Sequence, residues 1–454
     1  MNNTIYYGDN LPIIKKYIKD ESIDLIYLDP PFNSKKQYNM IYKEPSGKIS
    51  EAQSLAFDDT WKWNEETQRT YEELIINGDH DVVSAIKAFY SMFGTADITA
   101  YLVMMSSRLV ELQKTLKPTG SIYLHCDPTA SHYLKIIMDS IFGVENFQNE
   151  IIWYYQTGGA SKKRYSRKHD TILFYTKGEN WIFNSKDVQI KRSEKSIKRA
   201  QFANARTEHD DVFKNPDDVF LIKAMNSMSK ERTGYQTQKP LALLEKIIKG
   251  SCPKDGIVFD PFCGCGTALV AAQELDRKWI GIDITYLAVN VLQQRFEKIF
   301  PGIKPGIDFK IEGEPKDMYA AEKLSEKEHQ FAIWAITKIG GKPNKKKTGD
   351  KGVDGFYDFF DNGTPKRGLI QATKEKRGGG PKKMRDFCHV VKRDKASIGI
   401  FITLDQPTQD MKTEAIGEGF YNTKLCEKYP KILIVTIEEI LSKNRLNIPP
   451  PKRY

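Results

Sequence analysis

The sequence predicts an α/β protein in which a mostly parallel sheet is covered by helices on both faces. The first segments alternate between strand and helix patterns, as in TIYYGD, NLPIIKKYIK and SIDLIYLD. The nearly continuous apolar run in SIDLIYLD is typical of a strand that is buried on both faces. The length of 454 residues exceeds what one ordinary core accommodates, so two or three domains are expected.

The alternation continues to about residue 150 and resumes after an interruption. The helix pattern YLVMMSSRLVELQKTL precedes the strand SIYLHCD and the helix ASHYLKIIMDSIFG. A basic, aromatic segment follows, and the pattern returns in QKPLALLEKIIKGSC and GIVFDPFCGCGTALVAAQELDRKWIGIDI. The stretch FPGIKPGIDFKIEG marks a boundary near residue 310, beyond which a separate small α/β domain is predicted. The predicted segments are 1–150, 151–230, 231–308 and 309–454.

Composition argues against a membrane protein and against a disulfide-stabilised one. Hydrophobic residues make up 40% of the chain, and apolar runs such as IGIFITL have only the length of a strand. The start MNNTIYYGDN shows no secretory signal, so a cytoplasmic location is expected. Cysteines lack the paired spacing of a disulfide framework, and Cys263 and Cys265, one residue apart, would form a poor zinc site.

The net charge of +10 is concentrated in two stretches, 158–206 and 341–395, each of which carries +9. Basic charge gathered in this way suits a phosphate-binding surface. Aromatic residues are interleaved in WYYQTGG and KKRYSRK, which favours nucleic acid over the alternative of two solvated loops.

A loop of small residues in VFDPFCGCGT places Asp260, Gly264 and Gly266 between a predicted strand and a helix. Asp283 follows Gly266 by 17 residues at the end of the next strand, close to the separation at which an acid meets a ribose diol. Leu269 occupies the third glycine position of a dinucleotide fingerprint, and a P-loop is absent. The pattern therefore favours a nucleoside cofactor without phosphate, with S-adenosylmethionine as the candidate.

The motifs DPPF, DPFCGCGT and GIDI together resemble the amino-methyltransferases that methylate DNA bases on an exocyclic nitrogen. Their order resembles the β group, which includes type III modification subunits, and the resemblance covers roughly residues 1 to 300. It implies a methyltransferase fold with a mostly parallel, seven-stranded sheet. Residues 1–150 would be the catalytic half, 151–230 the target-recognition region and 231–308 the cofactor-binding half.

The chemistry of an exocyclic amine explains the residues of DPPF. The amine is a poor nucleophile because its lone pair is conjugated with the ring, so two acceptors must draw its N–H groups out of the plane. The Asp29 side chain and the Pro30 carbonyl can supply them, and Pro31 helps to hold them rigidly. Phe32 can stack on a base that has been flipped out of the duplex.

Direct methyl transfer needs neither a metal nor a covalent nucleophile, and the Pro-Cys dipeptide of cytosine C5 enzymes is absent.

The resemblance also implies a set of cofactor contacts. Asp9 would meet the adenine amine of the cofactor, although a helix N-cap is an alternative role for this residue. The remaining residues implied for cofactor binding are Lys239, Pro240, Asp260, Phe262, Gly264, Gly266 and Asp283. The aspartate that opens DPPF favours adenine N6 over cytosine N4 as the methylated atom.

Double-stranded DNA is the expected partner, and either a homodimer or a partner subunit of a restriction system is compatible with the resemblance. The candidates for phosphate or guanine contacts are Arg164, Arg167, Lys168, Arg192, Arg199 and Arg206. His169 is expected to satisfy a local hydrogen bond.

The C-terminal segment 309–454 resembles the restriction-endonuclease-type domains with a PD-(D/E)-x-K layout. Such a site binds Mg²⁺ through carboxylates, here Asp354, and places a lysine, here Lys374, near the attacked phosphate. Ala372 stands where the pattern has an acid, with Gln371 one place away and Glu375 after the lysine. The domain would cleave weakly, use a displaced acid or only bind DNA, and Ala372→Glu would restore cleavage if residue 372 lies beside Asp354 and Lys374.

The main interpretation is therefore an adenine-N6 DNA methyltransferase with a nuclease-like domain. The alternatives are a cytosine-N4 enzyme, a DNA-binding protein or nuclease that acts mainly through its C-terminal domain, and a protein or RNA methyltransferase.

Overall fold

The computed structural model describes most of the chain. The described residues are 3–31, 37–43, 49–58, 62–156, 161–195, 197, 212–225, 229, 231–233, 235, 237–344, 352–423, 427–442 and 446–450. Within them, no helix is both long and apolar enough to span a bilayer.

Strands and helices alternate along most of the described chain. The strands are β1 Thr4–Tyr7, β2 Ile23–Leu28, β3 Gln37–Lys43, β4 Ile49–Asp58, β5 Leu116–Cys126, β6 Phe147–Tyr154, β7 His169–Thr176, β8 Ile190–Lys191, β9 Phe213–Lys214, β10 Val219–Phe220, β11 Ile257–Asp260, β12 Lys278–Asp283, β13 Lys310–Glu312, β14 Lys342–Pro343, β15 Gly355–Asp361, β16 Thr364–Thr373, β17 Gly399–Thr403, β18 Phe420–Asn422, β19 Lys428–Pro430 and β20 Ile432–Thr436. The α-helices are α1 Asn10–Tyr17, α2 Glu65–Asn77, α3 His80–Phe93, α4 Asp97–Thr115, α5 Ser131–Phe142, α6 Leu241–Ser251, α7 Thr267–Glu274, α8 Tyr286–Ile299, α9 Met318–Ser325, α10 Glu328–Lys338, α11 Gly380–Arg393, α12 Gln409–Gly417 and α13 Ile437–Leu441.

The larger sheet has the strand order β10-β6-β7-β5-β2-β11-β12-β1-β13. Strand β7 runs antiparallel to β5 and β6, and the other neighbouring strands are parallel. The seven strands from β6 to β1 form the mostly parallel sheet that was expected. Two short edge strands, β10 and β13, extend the sheet to nine strands and were not predicted, because segments of two or three residues carry no clear periodicity.

Helices cover both faces of this sheet, as the sequence predicts. Alternate residues of β2 enter opposite clusters: Ile26 and Leu28 pack with helices α1, α3, α4 and α5, whereas Leu25 and Tyr27 pack with α6, α7 and α8. All six residues of β2 are buried. A strand that contributes to two cores needs apolar residues on both faces, which explains its nearly continuous apolar run.

The sheet crosses two of the expected segment boundaries. Strand β6 begins before residue 151, and both β6 and β7 pair within the larger sheet. Strand β13 lies beyond residue 308 and pairs with β1. The apolar strand in residues 169–176 therefore completes the sheet instead of belonging to a separate insert.

A second sheet, with the order β14-β15-β16-β17-β20, forms the C-terminal α/β domain. Strands β15 and β16 make the expected hairpin, whose turn residues Asn362 and Gly363 have φ angles of 45° and 76°. Helices α9, α10 and α13 cover one face, and α11 and α12 cover the other. The cluster on the α10 face also contains residues of α8, so the two sheets share one continuous core region.

Candidate active site

Four carboxylates stand at the same edge of the larger sheet. Asp260 and Asp283 are the last residues of β11 and β12, Asp29 directly follows β2, and Asp9 lies two residues after β1. Because these four strands are parallel neighbours, their carboxyl ends meet at one edge. A cavity at this edge is lined by all four aspartates.

The structure brings most of the expected site residues to this cavity. Those that line it are Asp9, Asp29, Pro30, Pro31, Lys239, Asp260, Phe262, Gly264 and Asp283. Two others lie at the start of neighbouring helices, since Gly266 precedes α7 and Pro240 precedes α6. Phe32 lies outside the described residues.

The loop after β11 requires glycine at two positions. Gly264 and Gly266 have φ angles of 49° and 72°, in the left-handed region that disfavours other residues. A Cβ on Gly266 would lie 2.3 Å from Cδ1 of Leu292 in α8. A Cβ on Gly264 would lie 3.3 Å from the ring of Tyr235, which also lines the cavity. The glycines thus allow α7, α8 and the cavity wall to approach one another closely.

Asp283 is held in one orientation by three hydrogen bonds. Its Oδ1 accepts from the backbone N–H and the hydroxyl of Thr285, at 2.8 and 2.7 Å, and its Oδ2 accepts from Gly264 N–H at 3.0 Å. Burial raises the pKa of Asp283, and these hydrogen bonds oppose that rise. Oδ1 already accepts two hydrogen bonds, so Oδ2 retains the acceptor capacity for a ligand hydroxyl.

Asp260 is almost completely buried, and burial raises its pKa well above the ordinary range. The charges of Asp29 and Asp283 add to this rise, while the Phe262 N–H donates to Asp260 at 3.1 Å. A buried acid among other acids is stabilised in its ionised form by a cation. The cavity therefore favours a positively charged ligand.

Lys239 lies on the carboxylate of Asp29. Its Nζ donates to both carboxylate oxygens, at 2.6 and 2.5 Å, and its side chain is largely buried. The sequence predicted only a cofactor contact for Lys239. The structure shows that Lys239 is also the counter-ion of Asp29, the aspartate of the DPPF motif. An exposed ion pair contributes little, but a buried one fixes the geometry of its partners.

Asp9 has the helix-capping role that the sequence left open, and its contact with the cofactor stays a prediction. It is the N-cap of α1, where its Oδ1 accepts from the Leu11 N–H at 2.9 Å, and it also lines the cavity. The same oxygen accepts from Nη2 of Arg108 at 2.9 Å.

Arg108 is a cavity residue that sequence reasoning missed. Its guanidinium reaches from α4 to Asp9, and its Nε donates to Oδ1 of Asn10 at 2.6 Å. Asn10 in turn donates from Nδ2 to the Pro261 carbonyl at 2.9 Å. Burial lowers the pKa of Arg108, an effect that the charge of Asp9 opposes. The only signal in the sequence was an arginine among the buried residues of an otherwise apolar helix.

Two of the expected DNA-binding arginines lie exposed at the cavity edge of the sheet. Arg164 and Arg167 stand between the end of β6 and the start of β7, the edge at which β2 and β5 also end. Tyr165, between them, is 99% exposed. An exposed aromatic ring flanked by arginines suits contact with nucleic acid.

The other expected DNA-binding residues are placed differently. Lys168 donates from Nζ to the Gln156 carbonyl at 3.2 Å, and Arg192 donates from Nε to the Phe213 carbonyl at 3.0 Å. Arg199 and Arg206 lie outside the described residues. His169 belongs to β7, where it pairs with Tyr154.

In the C-terminal domain, Asp354 lies beside the end of β16, where its Oδ2 accepts from the Ala372 N–H at 2.8 Å. The side chain of Ala372, however, packs into the apolar cluster on the α10 face. Nζ of Lys374 lies 3.7 Å from Glu328 of α10, on the same face. Residue 372 thus lies beside Asp354 through its backbone N–H, as assumed from the sequence, while its side chain faces α10.

The opposite face of β16 carries another lysine. Lys383 of α11 donates from Nζ to the Thr373 hydroxyl at 3.1 Å and to Glu375 at 2.6 Å. Since side chains alternate along a strand, Gln371 and Thr373 share this α11 face. Within the described chain, no group of three His, Cys, Asp or Glu residues is arranged to hold a metal ion.

Comparison with known proteins decides the family. A family model described as "DNA methylase" matches residues 23–294, more than half of the chain. The chain belongs to the DNA methylase family. A second model, described as "Restriction endonuclease", matches residues 331–428. The α/β methyltransferase fold and the nuclease-like C-terminal domain that the sequence predicted are therefore confirmed.

Several curated proteins are similar to this methylase. Type II methyltransferase M.HpaI from Haemophilus parainfluenzae is 27% identical over 305 residues, covering 67% of this chain and 77% of its own. Type II methyltransferase M.HinfI from Haemophilus influenzae is 26% identical over 393 residues, covering 79% and 93%. DNA adenine methyltransferase YhdJ from Escherichia coli (strain K12) is 26% identical over 285 residues, covering 62% and 78%.

Among solved structures, a PvuII DNA methyltransferase described as cytosine-N4-specific is 18% identical. It covers 67% of this chain and 89% of its own, with a TM-score of 0.43.

Proposed function

We propose that this DNA methyltransferase uses S-adenosylmethionine to methylate adenine at N6. The observation that carries the proposal is that the Asp29 carboxylate lines the same cavity as Asp260, Gly264 and Asp283. The name of the relative YhdJ, a DNA adenine methyltransferase, favours adenine as the base.

The charges of the cavity fit this cofactor. Four carboxyl groups and two cations, Arg108 and Lys239, line the cavity, and a cationic ligand would stabilise the ionised form of the buried Asp260. S-Adenosylmethionine is cationic at its sulfonium and ammonium groups and contains no phosphate. When bound, it supplies an electrophilic methyl group.

Three aspartates and a glycine would hold the cofactor. Asp283 would accept from a ribose hydroxyl through Oδ2, and its fixed orientation supports that role. Asp260 and Gly264 would meet the methionine part, and Asp9 would meet the adenine amine. Gly266 supports the loop by allowing the close approach of α8.

Asp29 and the Pro30 carbonyl would hold the hydrogens of the target amine. Both lie at the cavity edge, which a base within a duplex does not reach, so the base must be flipped out. The amine has to share the Asp29 carboxylate with Lys239, which donates to both oxygens. Each oxygen has a further lone pair, so one carboxylate can receive both donors.

The recognition surface would lie in residues 151–230, with Arg164, Tyr165 and Arg167 toward the DNA. Residues 1–150 and 231–308 would supply the two parts of the cavity, and strand β13 would complete the sheet. These assignments are supported by the position of the loop between β6 and β7 at the cavity edge.

The C-terminal domain, residues 309–454, would bind DNA without efficient cleavage. A hard cation such as Mg²⁺ expects carboxylate or phosphate oxygens, and the described residues around Asp354 offer no cluster of acids. Asp354 alone would hold a Mg²⁺ ion weakly, because such an ion expects at least two oxygen ligands from protein or phosphate. The basic stretch 341–395, with a charge of +9, supports a DNA-binding role.

Incubation of the protein with plasmid DNA and isotope-labelled S-adenosylmethionine, followed by nucleoside mass spectrometry, tests the function. Labelled N6-methyladenine is the expected product. Labelled N4-methylcytosine would refute the choice of base, and unlabelled DNA would refute the proposal as a whole. An Asp276→Asn variant, changed at an exposed aspartate away from the cavity, provides a matched control.

A further inference from the structure

A buried chain of three polar side chains lies beside Asp29. The Tyr27 hydroxyl is 2.9 Å from Nδ1 of His125, and Nε2 of His125 is 3.2 Å from Oδ2 of Asp170. The three residues belong to the neighbouring strands β2, β5 and β7. Tyr27 is 2% exposed and His125 is fully buried. None of the roles assigned above uses this chain.

The direction of the hydrogen bonds follows from Asp170. Burial alone would raise the pKa of Asp170, but the hydrogen bond from His125 and the charge of Lys239 contribute to lowering it below its ordinary value. An ionised carboxylate only accepts, so Nε2 of His125 donates to it. In the tautomer that carries its proton on Nε2, Nδ1 of His125 is an acceptor and receives the proton of the Tyr27 hydroxyl.

Tyr27 also lines the cavity, together with Asp29 and Asp260. It stands two residues before Asp29, so both side chains lie on the same face of the chain. Burial, and then the charges of Asp29, Asp260 and Asp170, raise the pKa of Tyr27 well above its ordinary value, so the phenol keeps its proton. A protonated phenol among carboxylates donates to one of them unless another acceptor takes its hydrogen.

We propose that His125 is a positioning residue for methyl transfer, because it draws the Tyr27 hydroxyl away from Asp29. Asp170 fixes the imidazole so that Nδ1 is the acceptor. The lone pairs of Asp29 then remain for Lys239 and for the target amine. This role rests on the proposed function, in which Asp29 holds the amine.

Two substitutions separate this role from a structural one. His125→Gln keeps a donor near the Nε2 position but removes the Nδ1 acceptor, so the Tyr27 hydroxyl is released toward Asp29. We expect the single-turnover rate of methyl transfer to fall by about tenfold or more, with DNA and S-adenosylmethionine affinities unchanged. Tyr27→Phe removes the hydroxyl itself and should cost about threefold or less, because Asp29 is left unblocked.

The decisive measurement is the double variant. If the released hydroxyl causes the loss, Tyr27→Phe in the His125→Gln background restores the rate to that of Tyr27→Phe alone. A double variant as slow as His125→Gln, or a His125→Gln enzyme with the wild-type rate, overturns the proposal. A purely structural defect would not be relieved by a second change in the same core.

A second measurement does not depend on the folding of His125→Gln. In ¹⁵N NMR of the histidine-labelled protein, His125 should show a protonated Nε2 and an unprotonated Nδ1. A protonated Nδ1 overturns the proposal. If the wild-type protein transfers no methyl group to DNA, the proposed function fails, whereas normal transfer without rescue in the double variant refutes only the role of His125.

Discussion

Asp29 is the residue on which methyl transfer is expected to depend most. Its carboxylate is fixed by Lys239 and stands at the edge of the cavity, with the rigid Pro30 and Pro31 beside it. The cofactor contacts proposed for Asp260 and Asp283 come from other strands, so the two functions are separable by mutation.

We therefore expect Asp29→Ala to lower the single-turnover rate of methyl transfer by about 10²-fold or more, because the amine loses its positioned acceptor. The dissociation constant of S-adenosylmethionine, measured by calorimetry, should stay within about threefold of the wild-type value. Asp276→Asn serves as the control. Near-normal transfer by Asp29→Ala would refute the assignment of the catalytic acid.

At the scale of elements, the loop between β11 and α7 sets the distance between α7 and α8. Gly266 combines a left-handed backbone with a close approach of Leu292. Gly363, in the turn between β15 and β16, has a φ angle of 76° and open space where a Cβ would stand, so a substitution there meets the positive φ without the clash.

Gly266→Ala is expected to lower the free energy of unfolding by about 1–3 kcal/mol more than Gly363→Ala does, because only the former forces Leu292 to move. Denaturant unfolding of both variants measures the difference. Cofactor affinity should fall in Gly266→Ala alone. Equal destabilisation by the two substitutions would show that the packing of α8 tolerates a larger residue.

The alternation of side chains along β16 determines which positions can form a nuclease-like site. Residues 372 and 374 face α10, whereas Thr373 faces α11 and contacts Lys383. Gly355 of β15 pairs with Ile370 of β16. One further step in the same register places Asp354 opposite Gln371.

Gln371→Glu, and not Ala372→Glu, is therefore expected to create a Mg²⁺ site with Asp354, because a second carboxylate then stands opposite the first. Calorimetry should detect Mg²⁺ binding to Gln371→Glu, and supercoiled plasmid should be nicked in a Mg²⁺-dependent way. Ala372→Glu is the matched control and should show neither. Mg²⁺ binding by Ala372→Glu alone would contradict the assigned faces of the strand.

At the scale of the whole molecule, the basic charge is concentrated in two stretches of the chain, whereas the apolar core is continuous between the two sheets. The two basic stretches each carry +9 although the whole chain carries +10, so the remainder is acidic. The two sheets are nevertheless joined, since Tyr286 and Leu287 of α8 share an apolar cluster with Phe331 and Trp334 of α10. The C-terminal domain thus packs against the helix that follows Asp283.

DNA affinity is expected to fall steeply with salt, because neutralised phosphates release counterions. Charge reversal at Arg164 and Arg167 should weaken binding and reduce the slope of log affinity against log salt by about 2. Reversal at Lys15 and Lys16, exposed residues of α1, makes the same change in net charge and provides the control. Fluorescence anisotropy at several salt concentrations measures both. Identical slopes for the two variants would remove the β6–β7 loop from the interface.

The fold class, the family and nine of the residues that line the cavity were predictable from the sequence. Strand β2 was predictable because a strand buried on both faces is apolar throughout, and Asp260, Gly264 and Asp283 were recognisable because they lie within 24 residues of one another. Residues of one motif are close in the chain, so their relative positions follow from the local backbone. The short edge strands and the positions of β6 and β7 in the larger sheet were not predicted, because pairing partners are distant in the chain.

Only the tertiary structure decided which charges meet. Lys239 and Asp29 are 210 residues apart, and Arg108 and Asp9 are 99 apart, so no spacing rule joins them. The chain of Tyr27, His125 and Asp170 likewise draws on three strands. Alternation along β16 determines that neighbouring side chains point to opposite faces of the sheet. Which of these faces packs against α10 depends on the tertiary structure. Hydrogen bonds and ion pairs are short-range, so they are determined by distance in the folded chain and not by separation along it.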